Sequence, residues 1–429
     1  MIVRIPFGQG FEECEVEDHR VRACLEPSWP APAQHQEACV SKALSEPIGA
    51  LALKDLASGA KRILILTSDN TRPVPSKITM PNLLNEIRKA NPSSSVRVLI
   101  ATGLHEWNPS RGELKEKFGP SLDHVEEVLV HSAKDENSLT DLGVLSTGNR
   151  LYVNKLLEEV DLLVAEGFIE GHFFAGFTGG PKSILPGVSG TDTIMVNHSP
   201  RNIDHPNARC GIAEGNPIYE EMCEAARRAR LRFVLNVVLD RSKHIISAFA
   251  GDVIEAHKMG RSFSLGCCRV SPVLSDIVIT SNGGYPLDRN LYQLVKGISN
   301  GALTAKEGGV IIACGECRDG IGHQGFYEML ASSNSPSEFL KRLRSGEIWQ
   351  EAQWEAQILA KVLEKFKVVV VSRGVNAKIV ESMHMIHAKN LKEAIEVASN
   401  FKPSGGITLL PDGPSAIPLA NASAEQPFQ

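Results

Sequence analysis

Segments with helical apolar spacing alternate with short apolar segments along much of the chain. Apolar positions recur at helical spacing over residues 36–58, and Gly59 closes this run just before the segment RILILTS at 62–68. The same order returns in NLLNEIRKA before VRVLIATG, in VNKLLEEV before DLLVAEGF, and in AARRARLR before FVLNVVLD. Such alternation predicts an α/β fold with a mostly parallel sheet flanked by helices.

A second series of the same kind begins after the small residues at 264–272. It starts with the predicted strand SDIVITSN at 275–282 and continues with GGVIIAC, a helix around 337–343, the long helix IWQEAQWEAQILAKVLEKF, and the strands VVVVSRG and GGITLLP. We therefore predict two α/β domains, 1–270 and 271–429, with the active site in the cleft between them. The tail ANASAEQPFQ is expected to be disordered.

Polar motifs directly follow four of the predicted strands. They are Asp69-Asn70-Thr71-Arg72, Gly103-Leu104-His105, Glu170-Gly171-His172 and Gly283-Gly284-Tyr285-Pro286. Ligands of open α/β sheets bind at the carboxyl ends of the strands, so we expect these loops to converge on one site.

Composition and charge narrow the class of partner. The net charge is −5, the pI is about 6.3, aromatic residues make up 6%, and Lys and Arg form no cluster, so the pattern of a nucleic-acid-binding protein is missing. No apolar run fits a signal peptide or a membrane span. The nine cysteines are irregularly spaced, which favours reduced thiols. Cys314 and Cys317 are expected to be two buried thiols rather than a redox or zinc pair. We expect a cytoplasmic protein that acts on a small molecule.

The segment GFTGGPKS at 176–183 approaches the phosphate loop of nucleoside triphosphatases. That motif needs glycine where Pro181 stands, and proline has no N–H to offer a phosphate, so a triphosphatase is disfavoured. Lys182 is then either a solvated lysine or a nucleophile that forms a covalent link. The absence of GxGxxG after a strand disfavours an NAD-type dehydrogenase. A metal held by His172 and His198 alone would lack ligands, so a cofactor would have to supply the rest.

Five blocks in a fixed order are similar to the nickel-pincer lactate racemase family. They are SDNTRPVPSK at 68–77, ATGLH at 101–105, EGHFFAGFTGGPKSILPG at 170–187, NHSP at 197–200 and GGYPLDRNLYQLVKG at 283–297. The resemblance covers nearly the whole chain.

The resemblance implies a cofactor and a role for each site residue. The cofactor is a nickel-pincer nucleotide, a Ni(II) pyridinium-3,5-bisthiocarboxylic acid mononucleotide, tethered covalently to Lys182 and bound through nickel to His198, the one protein ligand to the metal. His105 and His172 are implied as the two general bases. The cofactor-binding residues are Asp69, Asn70, Thr71 and Arg72, and the substrate-binding residues are Arg72, Tyr292, Gln293 and Lys296. Trp354 either lines the pocket or packs in the core.

The implied reaction is inversion at C2 of a lactate-like 2-hydroxy acid. It proceeds by reversible proton-coupled hydride transfer to the cofactor through a 2-oxo acid, which avoids a carbanion beside the carboxylate. Phe173 and Phe174 could form an apolar wall of the pocket. Two alternatives stay open: an epimerase of a larger sugar acid or malate-like acid, and a non-catalytic nucleotide- or nickel-cofactor-binding protein. The implied partners are the cofactor-building carboxylase, sulfur transferase and nickel insertase, and the protein is expected to be a monomer or homodimer.

Overall fold

The computed structural model describes residues 1–420, and the tail predicted to be disordered lies outside the described residues from position 421 onward. The chain divides into two compact units. The N-terminal unit comprises 29–198 and 206–267, and the C-terminal unit comprises 1–28, 199–205 and the chain from 268 onward. The assignment of cofactor and base residues to domain 1–270, and of the completing substrate residues to domain 271–429, stays a prediction.

The strands of the described residues are short and regular. In chain order they are β1 (Ile2–Phe7), β2 (Gly10–Glu15), β3 (Val21–Cys24), β4 (Arg62–Ser68), β5 (Ser95–Ala101), β6 (Glu127–Val130), β7 (Leu139–Val144), β8 (Arg150–Asn154), β9 (Leu162–Phe168), β10 (Gly171–His172), β11 (Gly176–Phe177), β12 (Leu231–Leu239), β13 (Ile245–Gly251), β14 (Arg269–Val270), β15 (Ser275–Ser281), β16 (Ala305–Cys314), β17 (Lys367–Val371), β18 (Ile386–Ala388), β19 (Ile407–Leu410) and β20 (Ile417–Pro418).

The helices are mostly amphipathic, and several begin at a side-chain cap. In chain order they are α1 (Gln36–Ser45), α2 (Leu53–Ala57), α3 (Ser76–Ala90), α4 (Arg111–Phe118), α5 (Thr191–Asn197), α6 (Pro200–Asp204), α7 (Pro217–Arg228), α8 (Glu255–Cys268), α9 (Leu291–Ala302), α10 (Gln324–Ala331), α11 (Pro336–Arg344), α12 (Gln353–Leu363), α13 (Ala377–Ser382) and α14 (Leu391–Phe401). Ser110, Asn216 and Asn290 each accept a backbone N–H of the helix that they precede, which satisfies a donor that has no partner within the helix.

The N-terminal unit is built on a six-stranded sheet in the order β13-β12-β9-β4-β5-β6. Neighbouring strands are parallel except β12 and β13. The central strand β4 is buried on both faces, which explains its nearly continuous apolar sequence. The chain runs outward through β5 and β6 and then returns to β9 on the other side of β4, so the strand order reverses between β4 and β9.

The C-terminal unit contains a second six-stranded sheet, β18-β17-β16-β15-β19-β3, in which every pair is parallel. Its edge strand β3 comes from the first residues of the chain. Two apolar clusters pack on this sheet, one of which includes Phe326 and Phe339 and the other Ile5 and Ile279. The predicted α/β class with two parallel-rich sheets is confirmed.

Most predicted elements occur in the structure with modest changes at their ends, but the helix predicted at VNKLLEEV is wrong: this segment is the end of β8 and a 3-10 turn, Lys155–Glu158. The helical pattern over 36–58 forms two helices, α1 and α2, because Pro47 and Gly49 interrupt it. The long helix predicted from residue 348 begins only at Gln353, after an unusual left-handed residue, Ala352 (φ 66°). Within residues 1–420 there is no helix with the length and apolar character that crossing a bilayer requires.

Candidate active site

Three of the four polar loops lie at one edge of the N-terminal sheet. The segment 69–72 follows β4, residues 102–105 follow β5, and residues 169–172 follow β9. Because β4 pairs in parallel with both β5 and β9, the carboxyl ends of the three strands lie side by side. The crevice where strand order reverses, between β4 and β9, is the usual ligand site of such a sheet. The fourth loop, 283–286, follows β15 in the C-terminal unit.

Asp69 holds the imidazole of His105. The Nδ1 atom of His105 lies 2.8 Å from Oδ2 of Asp69, while the other oxygen, Oδ1, accepts from the backbone N–H of Thr71 at 3.0 Å and from its hydroxyl at 2.6 Å. Burial would raise the pKa of the Asp69 carboxyl, but the hydrogen bonds from His105 and Thr71 and the charge of Arg72 outweigh it and lower the pKa. The carboxylate therefore stays ionised and accepts the Nδ1 proton, which makes Nε2 the basic nitrogen of His105.

A buried carboxylate that the sequence analysis missed supports the loop at 69–72. Glu166, on β9, accepts hydrogen bonds from the hydroxyls of Thr67 (2.6 Å), Thr79 (2.5 Å) and Ser76. Thr67 belongs to β4, and the other two belong to the first turn of α3, which begins soon after Arg72. Glu166 thus joins both ends of the segment that carries Asp69 and Arg72.

Lys182 lies in a 3-10 turn, Gly180–Ser183, and not at the start of an α-helix. Its side chain is half-buried. Proline at the start of this turn loses no hydrogen bond, since the first N–H groups of a helix have no partner within it. The phosphate-loop geometry is therefore absent from this segment, in agreement with the argument from Pro181.

Two glycines of this segment are required by close contacts within the protein. Gly179 and Gly180 have φ angles of 79° and 52°, which L-residues rarely adopt. A Cβ atom on Gly180 would lie 2.5 Å from the ring of His257, and one on Gly179 would lie 2.6 Å from Oδ1 of Asn236. Groups of the protein itself therefore require these glycines.

His172 and His198 both contact the ring of one phenylalanine, Phe174. The ring centroid of Phe174 is 4.6 Å from that of His172 and 4.9 Å from that of His198, and both contacts are edge-to-face. Nδ1 of His172 accepts the backbone N–H of Ala175 at 3.2 Å, so the neutral ring carries its proton on Nε2. Phe173 and Phe174 are both buried, and both pack against His172.

His198 is buried next to Lys182. Burial first, and then the charge of Lys182, lower the pKa of His198 well below its ordinary value, so the ring is neutral. Its Nδ1 atom lies 2.8 Å from Oδ1 of Asn197. A neutral imidazole that donates through Nδ1 can bind a metal or accept a proton through Nε2. The structure thus brings Lys182, His172 and His198 into one region of the N-terminal unit.

The substrate-side residues predicted on α9 lie in the C-terminal unit. Nζ of Lys296 donates to Oε1 of Gln293 at 2.6 Å, and the ring of Tyr292 packs edge-to-face on Phe326 with centroids 5.5 Å apart. All three side chains are half-buried. Trp354, on α12, is 8% exposed, which leaves its two interpretations open.

The expectation that Cys314 and Cys317 are buried is confirmed. Cys314 and Cys317 are free thiols with no exposed surface, and burial raises the pKa of both. Thiols with a raised pKa are poor nucleophiles, because little thiolate is present near neutral pH.

Family models match both parts of the chain. The lactate racemase N-terminal domain matches residues 7–211, and the lactate racemase C-terminal domain matches residues 270–417. A lactate racemase of Thermoanaerobacterium thermosaccharolyticum is 45% identical over 97% of this chain and 98% of its own length. A lactate racemase of Lactiplantibacillus plantarum is 44% identical over 89% of this chain and 91% of its own length.

Solved structures agree with the sequence matches. The lactate racemase apoprotein of Thermoanaerobacterium thermosaccharolyticum superposes with a TM-score of 0.94 at 44% identity and covers 98% of this chain and 100% of its own. A Thermotoga maritima protein, at 16% identity and a TM-score of 0.68, covers 91% of this chain and 100% of its own and shares the fold alone. With two domain models in sequence and full-length relatives well above 30% identity, the chain belongs to the lactate racemase family.

Proposed function

We propose that this protein is a racemase of lactate or a closely related 2-hydroxy acid. The observation that carries the proposal is the pairing of two histidine sites in one unit. The carboxylate of Asp69 orients the imidazole of His105. His198 is neutral and buried, and it lies beside Lys182. The names of the two relatives, each similar to this chain over most of its length, support the choice of substrate.

The cofactor that we propose is a nickel-pincer nucleotide joined covalently to Lys182, with His198 as its ligand from the protein. Among residues 1–420, no group of three or more His, Cys, Asp or Glu side chains is placed to hold a metal ion. A metal at His198 would therefore take its other ligands from a bound molecule, and the two sulfurs and one ring carbon of the proposed cofactor would supply them. When bound, the cofactor supplies an acceptor for the hydride of C2.

The chain's own residues move the hydroxyl proton. Asp69 keeps the proton of His105 on Nδ1, so Nε2 is ready to take the hydroxyl proton of one enantiomer. We assign the proton of the other enantiomer to His172. In the arrangement seen here Nε2 of His172 carries a hydrogen, because Nδ1 accepts from Ala175. Return of a proton requires an imidazolium, so His172 would take up a proton at Nδ1, break its hydrogen bond with Ala175 and then donate from Nε2.

Cationic side chains are proposed to bind the anionic groups. Arg72, half-buried in the loop after β4, suits bidentate binding of a phosphate or carboxylate. Asn70 and Thr71 offer hydrogen bonds to the cofactor from the same loop. Lys296 is assigned to the substrate carboxylate, with Gln293 and Tyr292 as polar neighbours.

We further propose partner enzymes, a cellular location and an oligomeric state for this protein. Loading would depend on the carboxylase, sulfur transferase and nickel insertase that build the cofactor, in the cytoplasm, and the active form would be a monomer or homodimer.

The test is a chiral-chromatography assay of protein produced together with the cofactor-building enzymes. We expect inversion of lactate, about one nickel per chain for the single site, and a mass adduct on the peptide that contains Lys182. Lys182→Ala should lose adduct, nickel and activity, whereas Lys155→Ala, which removes an exposed lysine of the same unit, should lose none. Inversion of only a larger hydroxy acid would indicate an epimerase. Nickel without inversion of any acid would contradict the enzymatic proposal.

A further inference from the structure

His198 is the first member of a buried chain of hydrogen bonds. Asn197 is the last residue of α5, and Glu221 lies in the middle of α7. Oδ1 of Asn197 lies 2.8 Å from Nδ1 of His198, and Nδ2 of Asn197 donates to Oε2 of Glu221 at 2.6 Å. The exposed fractions of Asn197, His198 and Glu221 are 0%, 4% and 2%. Water therefore has little access to these groups.

The orientation of the Asn197 amide follows from its two acceptors. Its nitrogen faces the carboxylate of Glu221 and also the backbone carbonyl of Ile218, at 3.3 Å. A carboxylate and a carbonyl can only accept, so the amide nitrogen has to face them and the amide oxygen has to face the imidazole. That oxygen can only accept in turn. Nδ1 of His198 must therefore be the donor.

We propose that Glu221, acting through Asn197, fixes His198 as the Nδ1–H tautomer and so presents Nε2 to the cofactor. Asn197 and Glu221 are positioning residues for the metal ligand, and the functional meaning of this relay rests on the proposed function. Metal-binding histidines commonly donate their second N–H to a carboxylate or carbonyl that orients the ring. Here a neutral amide stands between the imidazole and the carboxylate, so the ring is oriented while the negative charge stays one residue further from the metal.

Glu221 is itself held by further donors. Nδ2 of Asn149 donates to Oε2 at 3.1 Å, and the hydroxyl of Thr147 donates to Oε1. Asn149 also donates to the backbone carbonyl of Thr193, at 3.0 Å, in the first turn of α5. The carboxylate is therefore fixed between α7, the turn before β8 and both ends of α5. A buried carboxylate without such donors would be strongly unfavourable.

The relay can be tested on cofactor-free protein by NMR of 15N-labelled histidine, with His198 assigned from the resonance lost in His198→Gln. Long-range 15N–1H correlations distinguish the two neutral tautomers, and we expect His198 to show the Nδ1–H form. In Asn197→Leu and Glu221→Gln the Nε2–H form should appear, because the acceptor or its fixed orientation is lost. Thr147→Val removes an exposed hydroxyl that donates to Glu221 and accepts the backbone N–H of Asn149 at 3.4 Å, and it should keep the Nδ1–H form, because Asn197 and Glu221 remain. An Nε2–H ring in the wild-type protein, or an unchanged ring in folded Glu221→Gln, would overturn the relay.

A second measurement uses the loaded protein. In Glu221→Gln we expect nickel affinity to fall about 10–100-fold, as for loss of a supporting group around a metal ligand, while the mass adduct on Lys182 persists. Retention of wild-type nickel affinity would count against the relay. If the proposed function is wrong, neither nickel nor adduct appears in any variant, yet the tautomer result in the cofactor-free protein still stands. The two failures are therefore distinguishable.

Discussion

Nδ1 of His105 lies 2.8 Å from the carboxylate of Asp69, and the two side chains differ in exposure, 50% for the histidine and 3% for the aspartate. The imidazole is thus anchored at its buried edge, while much of its surface faces outward. A rigid carboxylate behind an accessible imidazole is the arrangement expected of an oriented general base.

Replacing the Asp69 carboxylate should damage catalysis more than folding. In Asp69→Asn the Nδ1 proton of His105 loses its charged acceptor, and the ring can adopt the wrong tautomer. We expect kcat for lactate to fall about 10²–10⁴-fold, the range for loss of an oriented general base. Steady-state kinetics of the loaded protein measures this effect. Asp161→Asn, which removes an exposed carboxylate at the opposite end of β4, should keep wild-type kcat; equal rates for both variants would contradict the role of Asp69.

Buried His131 should make stability depend on pH. Its Nε2 donates to the carbonyl of Ser189 at 2.9 Å, and burial lowers the pKa of His131 to about 4. Between this value and about 6.5, the usual histidine pKa, the unfolded chain binds a proton that the native protein does not. The free energy of unfolding should therefore fall as the pH falls through this window, by up to about 1.4 kcal/mol per pH unit.

Denaturant titrations of His131→Gln and wild-type protein at several pH values test this slope. The variant should depend less on pH between about 6.5 and 4, whereas His244→Gln, which changes an exposed histidine, should keep the wild-type slope. Identical slopes in all three proteins would show that His131 does not contribute.

Gly180→Ala should be more harmful than an alanine at another left-handed glycine. Gly148 also has a positive φ, 89°, but a Cβ there would meet no atom within 4 Å, whereas a Cβ at Gly180 would contact the ring of His257 at 2.5 Å. Gly148→Ala should cost about 1 kcal/mol for backbone strain. Gly180→Ala should cost about 1–3 kcal/mol more for overpacking. Thermal unfolding compares the two, and similar losses would show that backbone conformation alone requires glycine at position 180.

Glu166→Gln should loosen the loop that carries Asp69 and Arg72. The amide nitrogen of Gln can only donate, so at least one of the three hydroxyls must turn from donor to acceptor or lose its hydrogen bond in a buried place. We expect destabilisation of about 1–3 kcal/mol. Glu126→Gln changes an exposed carboxylate that also accepts a serine hydroxyl, and it should stay within about 0.5 kcal/mol of wild type. Equal stability of the two variants would rule out the bracing role of Glu166.

The apolar pattern predicts much of the fold, because buried parallel strands are nearly continuous apolar runs. RILILTS was predicted as a strand with the observed ends, 62–68. The placement of polar loops after β4, β5 and β9 follows from the same pattern. The family resemblance, and not the pattern, supplied roles for Lys182 and His198, and those roles stay predictions.

Contacts between distant segments explain what the pattern could not predict. Glu166 stands in the apolar strand LLVAEGF, and only the fold brings three hydroxyls to it. Glu221 looks like one more charged residue of an amphipathic helix, yet it is 2% exposed. Strand β3 has four residues, and its pairing partner, β19, lies near the other end of the chain.

That pairing has a consequence for synthesis on the ribosome. Val21 pairs with Ile407, so β3 cannot pair with β19 until residue 407 has been made, on the order of tens of seconds later at about 5–20 residues per second. The sheet of the N-terminal unit is complete at Gly251 and can form during this interval. The segment that contains β3 is rich in charge, EECEVEDHRVR. These charges should disfavour pairing of the exposed strand with strands of other chains before β19 is available. Strand β3 is thus translated long before the strand with which it pairs.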